Sequence, residues 1–234
     1  GYSRYQKALI IEKFGKIPLI IRKILVKILP NKNKLGEIRE GMRLSLLKKE
    51  DFYSEARREI YKPLAYKKLM RTQLKRFLNL TDGNLTEAVI MMDLYFYTVP
   101  DHFLTKTDRA SMSESLEVRC PFLDCRFLDL AVKIPTRWKV SPFKTKILMR
   151  KILKDILPKK ILRRKKEGFM PPIVDWINKN EDIKEARELL FNKGILSEEW
   201  KRFFEKINDK NDMVSKGFKT RLFLLKKWHE QWLI

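Results

Sequence analysis

The sequence is poor in cysteine, histidine and glycine. It contains two cysteines, two histidines and eight glycines among its 234 residues. Two cysteines do not make the framework of a secreted disulfide-rich domain, so we expect a reducing, cytoplasmic environment. His102 and His229 lie far apart in the chain, and with Cys120 and Cys125 they do not have the spacing of zinc ligands. We therefore expect no metal site in this chain.

The sequence also lacks a long apolar run. A membrane-spanning helix needs about 20 apolar residues. The most apolar stretch, residues 16–30, is interrupted by Arg22, Lys23 and Lys27 and has no signal-peptide cleavage pattern. Its branched apolar side chains recur at the spacing of an amphipathic helix. We expect this helix to pack on a core or a partner, with binding to a membrane surface as the alternative.

Positive charge is abundant. The chain has 52 lysines and arginines against 29 acidic residues, a formal net charge of +23. Such a field attracts nucleic acid, acidic lipid or nucleotide phosphates. The simpler explanation is a surface coated with solvated lysines. No zinc finger, RNP or glycine-rich motif accompanies the charge, so we do not expect nucleic acid as the main partner.

The pattern of apolar residues predicts helices almost throughout. The predicted helices are 17–29, 36–48, 51–60, 63–78, 84–97, 101–113, 124–133, 143–157, 171–178, 181–191, 198–207 and 213–233. The predicted class is therefore mainly α. Helices without a sheet could form a complete bundle, or they could be the helical part of an α/β protein. Periodicity does not decide between these two.

The segment DRASMSESLEVRCPFLD, residues 108–124, combines charges and serines with packable apolar residues. Its charged pairs suggest a buried or half-buried ion network, because opposite charges offset the desolvation of each other. The network would either fix the turn structurally or order the wall of a pocket. Ser111 and Ser113 could donate to a phosphate or could cap and pack. The predicted network residues are Asp108, Glu117, Arg119 and Asp124, with Arg109 beside them.

Two longer runs of the sequence resemble a known family. They are VPDHFLTKTDRASMSESLEVRCPFLDCRFLDLAVKIP and KTKILMRKILKDILPKKILRRKKEGFMPPIVDW, which together cover roughly residues 90–180. Their order and spacing resemble the C-terminal synthetase domain of glutamine-hydrolysing asparagine synthetases. The opening GYSRYQ is similar to the residues that follow that family's motif GxGGDExFxGY.

The resemblance implies an ATP-dependent ligase. Members of the family use ATP and Mg²⁺ to adenylate aspartate, and ammonia released from glutamine in a separate glutaminase domain then displaces AMP. Their synthetase domain is an adenine-nucleotide α-hydrolase-like α/β fold with an SGGxDS pyrophosphate loop. That loop, the GGDE motif and the glutaminase cysteine do not occur in this sequence, which begins at Gly1.

We therefore expect residues 1–234 to be the C-terminal part of such a domain, and the chain alone to be inactive. Its expected partners are the upstream part of the synthetase and the glutaminase domain. Apolar helix faces prepared for a sheet would also favour a homo-oligomer.

The resemblance also implies roles for particular residues. By its place in the pattern RxKxGF, Lys166 matches a lysine that stabilises the reaction's transition state, with Arg164 supporting the same anionic site. Residues 139–170 contain twelve lysines and arginines against two acids, which suits phosphate chemistry. Asp101 falls near a carboxylate that deprotonates the incoming amine, although Pro100-Asp101 is also an ordinary helix start. Arg109 and Ser111 are candidate phosphate ligands.

Two other functions remain open at this point. Relatives with the same core amidate sugar or peptide carboxylates, which is a different acceptor for the same chemistry. A basic helical adaptor that binds nucleic acid or a partner protein would need no catalysis at all. Salt-dependent retention on nucleic acid would favour the adaptor, and ATP–pyrophosphate exchange that requires aspartate would favour the synthetase.

Overall fold

The computed structural model describes residues 2–30, 33–56, 64–164, 180–207 and 213–233. The chain divides into two compact units, the first formed by residues 1–58 and 62–166 and the second by residues 59–61 and 167–234. Within the described ranges the backbone is mostly helical, and the β structure there is one isolated bridge between Val140 and Thr145. The prediction of a mainly helical chain is confirmed.

The first unit contains eleven α-helices among its described residues. They are α1 Ser3–Phe14, α2 Leu19–Ile28, α3 Asn33–Leu44, α4 Phe52–Ala56, α5 Leu64–Leu80, α6 Leu85–Tyr95, α7 Thr105–Met112, α8 Cys125–Lys133, α9 Thr136–Lys139, α10 Ile147–Ile152 and α11 Lys159–Arg163. Short 3₁₀ turns occupy Lys49–Asp51, Pro121–Leu123 and Leu153–Asp155, and a π-helix occupies Thr98–Leu104.

The core of the first unit lies where α6 packs against α1 and α5. Helix α6 is apolar on most of its sides, as expected for a helix surrounded by neighbours. Leu74, Leu85, Ala88, Val89 and Met92 have no exposed surface. Phe52 and Tyr53 of α4 complete this core, with 2% and 1% of their surface exposed. The core therefore joins α1 to α4, α5 and α6, which follow one another along the chain.

Short polar residues and a glycine set the ends of the central helices. Asn84 caps α6 by accepting a hydrogen bond from the Glu87 backbone N–H (3.0 Å). Gly83, with φ of +75°, closes the end of α5 by donating its N–H to the Leu78 carbonyl (2.8 Å). Glu12 of α1 adds a second cap, because its Oε1 accepts from the Leu85 backbone N–H (2.7 Å). The start predicted near residue 84 thus has two local causes, at Gly83 and Asn84, and one contact from the distant helix α1.

The second unit has its own small core. Its described helices are α12 Asn180–Asn192, α13 Glu198–Ile207 and α14 Met213–Trp232. Helix α12 packs along α14, and Leu190, Phe204 and Leu222 are buried between the helices. Lys226 is buried as well, and it pairs with Glu185 and with Glu230 (3.5 Å). The hydrogen bond that Lys226 donates to Glu185 is the largest cause of its raised pKa, and burial acts in the opposite direction.

Several helix predictions need correction. Helix α1 was not predicted, because its apolar residues are not spaced as one stripe. The helix predicted at 101–113 begins with the π-helix, and the one predicted at 143–157 is divided into α10 and a 3₁₀ turn. The helix predicted at 171–178 lies outside the described residues.

Much apolar surface is exposed in the first unit. Helix α2 contacts α3, yet Ile20 and Ile28 on its outer side are 72% and 68% exposed. Leu130 of α8 is 62% exposed and Phe143 is 91% exposed. None of the helices in the described part of the chain has the length and apolar character of a membrane span.

Replacing a core leucine of α5 tests this packing. We expect Leu74→Ala to lower the free energy of unfolding by about 2–5 kcal/mol, because the buried side chain leaves a cavity. Leu69→Ala on the same helix is the matched control, since Leu69 is 47% exposed and should cost much less. Urea unfolding followed by circular dichroism measures both. Equal losses for the two variants would contradict the packing described.

Candidate functional site

Residues 98–124 of the first unit form a series of short helices and turns. The π-helix Thr98–Leu104 leads directly into α7, and α7 ends at Met112. The chain then passes through an irregular stretch to the 3₁₀ turn Pro121–Leu123, and Asp124 caps α8 by accepting from the Arg126 backbone N–H (3.0 Å). The π-helix, α7 and the turns that follow them therefore carry most of the candidate residues.

The expected burial of the charged network is wrong for this chain. Arg119 pairs with Glu117, but their side chains are 87% and 68% exposed. Asp124 pairs with Arg126 (3.1 Å) rather than with Arg119, and the side chain of Arg126 is 93% exposed. Asp108 is exposed too. Both pairs are local, since each partner lies only two residues away. The exposed side chains keep their hydration, so there is no desolvation penalty for the pairing to offset.

The serines of this segment make local hydrogen bonds. The Ser111 hydroxyl donates to the Asp108 carbonyl (3.2 Å), and the Ser113 hydroxyl donates to the Ala110 carbonyl (2.9 Å). Ser115 has φ of +56°, and the Leu116 backbone N–H closes the end of α7 on the Ser111 carbonyl (3.0 Å). Both hydroxyls therefore bond to carbonyls three residues earlier in the chain, and their contact with a phosphate stays a prediction.

Two other candidates lie on the same surface. Asp101 is an exposed residue of the π-helix, and its backbone N–H donates to the Tyr97 carbonyl (3.1 Å). Its carboxylate therefore faces solvent rather than the core. Arg109 is an exposed residue of α7. Both roles stay predictions.

An apolar cleft of about 720 Å³ lies beside these residues. Phe103 and Leu104 of the π-helix form one side, and Val118 and Pro121 form part of the other. Asp108, Arg119 and Cys120 also reach it, so an apolar interior has charges at its edge. A cleft of this kind suits a ligand or a neighbouring segment with both apolar and polar groups.

A second cavity carries the cations. It has a volume of about 860 Å³ and opens between α1 and the region of α10 and α11. Four basic side chains line it, and these are Lys144, Arg150, Lys151 and Arg163. No acidic residue belongs to its lining among the described residues. Unpaired positive charge in a concave site attracts anions with several charges, such as polyphosphates.

Polar contacts shape this cavity. Gln6 of α1 donates from Nε2 to the Pro142 carbonyl (3.0 Å), which ties α1 to the turn at Ser141–Lys144. The Ser141 backbone N–H donates to the Lys144 carbonyl (2.8 Å) within that turn. Arg150 donates to the Leu162 carbonyl, which holds α10 against α11. The Lys151 ammonium lies 4.9 Å from the centre of the Trp138 ring.

One further predicted cation, Arg164, lies at the end of α11. Arg164 is an exposed residue directly after Arg163 and follows the last turn of that helix. Lys166 lies outside the described residues. The density of cations in residues 139–170 was visible in the sequence, but the contribution of Tyr2, Ser3 and Gln6 to the cavity was not.

A buried ion pair beneath these sites was also not predicted. Arg4 donates from Nε to Asp93 Oδ2 (2.6 Å), and Asp93 is 2% exposed. Tyr53 and Thr98 donate their hydroxyls to Asp93 Oδ1 at 2.5 Å and 2.6 Å. Burial opposes the charge of Arg4, but Asp93 and the neighbouring Tyr53 and Tyr5 outweigh it, and the Arg4 pKa is raised. Burial and then the charge of Asp93 raise the pKa of Tyr53.

The described residues contain no group of three or more histidine, cysteine or acidic side chains placed to hold a metal ion. Cys120 and Cys125 are both free and exposed.

The comparisons with known proteins agree on one family. The family model for asparagine synthase matches residues 1–229. Asparagine synthetase [glutamine-hydrolyzing] 1 of Bacillus subtilis is 31% identical over 208 residues, which cover 81% of this chain. A putative asparagine synthetase [glutamine-hydrolyzing] of Mycobacterium tuberculosis is 28% identical over 203 residues. Putative asparagine synthetase [glutamine-hydrolyzing] 2 of Methanocaldococcus jannaschii is 38% identical over 119 residues, 48% of this chain. No solved structure matches the chain significantly.

The chain spans only part of the length of these relatives. The matched residues cover 31% of the Bacillus protein, 29% of the Mycobacterium protein and 23% of the Methanocaldococcus protein. The relatives are therefore about three to four times as long as the parts of them that this chain matches.

Removing cations from the cavity tests whether it binds polyanions. We expect the double variant Lys144→Gln/Lys151→Gln to bind inorganic pyrophosphate about tenfold more weakly or worse, because two charged partners are lost. Lys154→Gln/Lys159→Gln removes the same charge outside the cavity lining and is the matched control. Isothermal titration calorimetry at fixed salt measures both. An equal loss in the two variants would mean that only the net charge attracts the ligand.

Replacing Glu117 tests the exposure of the charged segment. Glu117→Gln should leave the unfolding temperature unchanged, because an exposed pair with Arg119 contributes little to stability. Differential scanning calorimetry checks this. A drop of several degrees would show instead that Glu117 is part of a buried network.

Proposed function

The chain belongs to the asparagine synthase family, and from this premise we propose that residues 1–234 form the C-terminal part of a synthetase domain that converts aspartate to asparagine with ATP. In this proposal the rest of the domain is an adenine-nucleotide α-hydrolase-like sheet with the pyrophosphate loop. A glutaminase domain supplies the ammonia. The family's C-terminal motifs in residues 90–180 and the short share of each relative that is matched support this division.

The cationic cavity is the observation that carries the proposal. Adenylation moves negative charge onto the α-phosphate and then onto the departing pyrophosphate. Preorganised cations in a concave site stabilise such charge without reorganisation. Lys144, Arg150, Lys151 and Arg163 line one cavity of the first unit with no acid among them. Its volume of about 860 Å³ is large enough for a nucleotide polyphosphate.

The proposed reaction has two steps. An oxygen of the aspartate side-chain carboxylate attacks the α-phosphorus of ATP, and the bond to pyrophosphate breaks, which leaves a β-aspartyl-AMP. Ammonia then attacks the acyl carbon, AMP leaves, and a base takes the proton of the incoming nitrogen. Asp101 is our candidate for that base, since it is exposed on the surface formed by residues 98–112, which we call the motif surface.

The cations divide between binding and transition-state roles in this proposal. Lys166 and Arg164 follow α11, whose last residue Arg163 lines the cavity. We therefore assign the cavity to pyrophosphate and Lys166 to the charge that develops during transfer. Arg109 and Ser111 remain candidate contacts to the nucleotide. Glu117, Arg119 and Asp124 are assigned to ordering the motif surface through their local pairs.

Mg²⁺ enters this proposal with ATP, as a counter-ion of the phosphates. The described residues provide cations for phosphate but no cluster of carboxylates for a metal. The ligands of Mg²⁺ therefore have to come from ATP itself and from residues beyond those described. No step assigned here to this chain depends on the ion.

A lysine substitution in the full-length protein tests the proposed function. We expect Lys166→Gln to lower aspartate-dependent ATP–pyrophosphate exchange about a hundredfold or more, because one fixed charge at the reacting phosphate is lost. Lys165→Gln, the neighbouring lysine, is the matched control and should keep activity within about twofold of the parent protein. Radiolabelled pyrophosphate exchange measures both variants.

Other outcomes would redirect the proposal. Exchange that requires a sugar or peptide carboxylate in place of aspartate would keep the chemistry and change the acceptor. Absence of any carboxylate-dependent exchange, with retention on nucleic acid that falls steeply as salt rises, would replace the ligase by a basic binding module.

A further inference from the structure

We infer that Arg4, Asp93 and Thr98 form a positioning clamp that holds the cationic cavity at a fixed distance from the motif surface of residues 98–112. The inference rests on the proposed function, because it assigns a task to residues between two parts of the proposed site. None of the three residues lines either cavity.

The three side chains form a closed ring of hydrogen bonds. Arg4 donates from Nε to Asp93 Oδ2 (2.6 Å) and from a terminal nitrogen to Thr98 Oγ1 (3.0 Å). Thr98 donates the same hydroxyl to Asp93 Oδ1 (2.6 Å). Each member therefore contacts the other two, and movement of one residue strains two bonds.

Two members of the ring are buried, and the third, Arg4, is half-buried with 16% of its side chain exposed. Asp93 is 2% and Thr98 is 6% exposed. The Arg4 guanidinium also lies 4.4 Å from the centre of the Tyr2 ring and 5.8 Å from that of Tyr53. A buried ion pair is often no more stabilising than apolar residues of similar volume. Its hydrogen bonds are directional, however, so they permit only one register between the helices. Apolar contacts would permit a wider range of registers.

One end of the clamp controls the cavity. Arg4 belongs to the first turn of α1, and its neighbours Tyr2, Ser3 and Gln6 line the cationic cavity. Gln6 also holds the turn that carries Lys144 through its bond to the Pro142 carbonyl. Fixing Arg4 thus fixes one wall of the cavity.

The other end controls the motif surface. Thr98 is the first residue of the π-helix, which contains Asp101 and leads without interruption into α7. A shift of Thr98 would be transmitted along this continuous helix to Asp101 and Arg109. Catalysis that needs groups from both walls is sensitive to displacements of about 1 Å.

The same two helices offer a control contact at their opposite ends. Glu12 of α1 accepts from the Leu85 backbone N–H (2.7 Å) and from the Thr86 hydroxyl (2.9 Å) of α6. It lies eight residues from Arg4, about 12 Å along the helix. Glu12 therefore joins α1 to α6 but touches neither the cavity nor the π-helix.

The test uses isosteric and conservative changes in the full-length protein. Thr98→Val removes the hydroxyl and keeps the shape, whereas Thr98→Ser keeps the hydroxyl. We expect Thr98→Val to lower kcat of aspartate-dependent pyrophosphate exchange about tenfold or more. We expect Thr98→Ser to stay within about threefold of the parent protein, because the ring can still close. Glu12→Gln should lower the unfolding temperature and leave kcat within about twofold.

Hydrogen exchange supplies a readout that does not depend on activity. Thr98→Val should raise the exchange rates of the first turn of α1 and of residues 98–112, while residues 84–90 near Glu12 keep theirs. If the parent protein shows no aspartate-dependent exchange of pyrophosphate, the proposed function fails. In that case the hydrogen-exchange measurement alone tests the clamp. The clamp is overturned if Thr98→Val keeps kcat within about twofold. It is also overturned if kcat falls with the unfolding temperature alike in all variants, or if the increased hydrogen exchange is absent.

Discussion

One buried carboxylate organises the first unit of this protein. Asp93 accepts hydrogen bonds from Arg4, Tyr53 and Thr98, which belong to α1, α4 and the π-helix. A buried charge that lost these partners would be strongly destabilising, so the four elements that meet at Asp93 have to adopt one mutual arrangement. The apolar core around α6 supplies the driving force for folding, whereas Asp93 selects the register in which that core closes.

The candidate site depends on that arrangement because its parts come from distant stretches of the chain. The cationic cavity combines residues 2–6 with residues 143–163, and the motif surface begins at Thr98. Neither wall contains a core of its own: most side chains of residues 101–130 are exposed. The exposed apolar side chains among them, such as Leu116 and Phe122, are suited to contact with further protein surface. Thr98 thus attaches the motif surface to the core through Asp93, and most of its other side chains are exposed to solvent.

Local signals in the sequence were sufficient for many of the helices. Asn84 and Asp124 are short polar residues directly before apolar helical patterns, and both are observed as N-caps. The helices predicted at 63–78 and 124–133 are observed at Leu64–Leu80 and Cys125–Lys133, and periodicity with local end signals was enough to predict them. The predicted ion network failed for a related reason. Alternating charges indicate that each side chain has a partner nearby, but they do not indicate whether the pair will be buried. Glu117 and Arg119 do pair, and they do so in solvent.

Composition and motif alone determined the helical class, the surplus of cations and the family to which the chain belongs, because these are properties of residue type and spacing. Only the tertiary structure decided which cations share a cavity and that Arg4 reaches Asp93, 89 residues away. Contacts of this kind depend on how helices cross, and the free energy of burying a charge is decided by every neighbour at once rather than by the adjacent residues. The residues of the clamp therefore carry no local pattern that would distinguish them from surface arginine, aspartate and threonine.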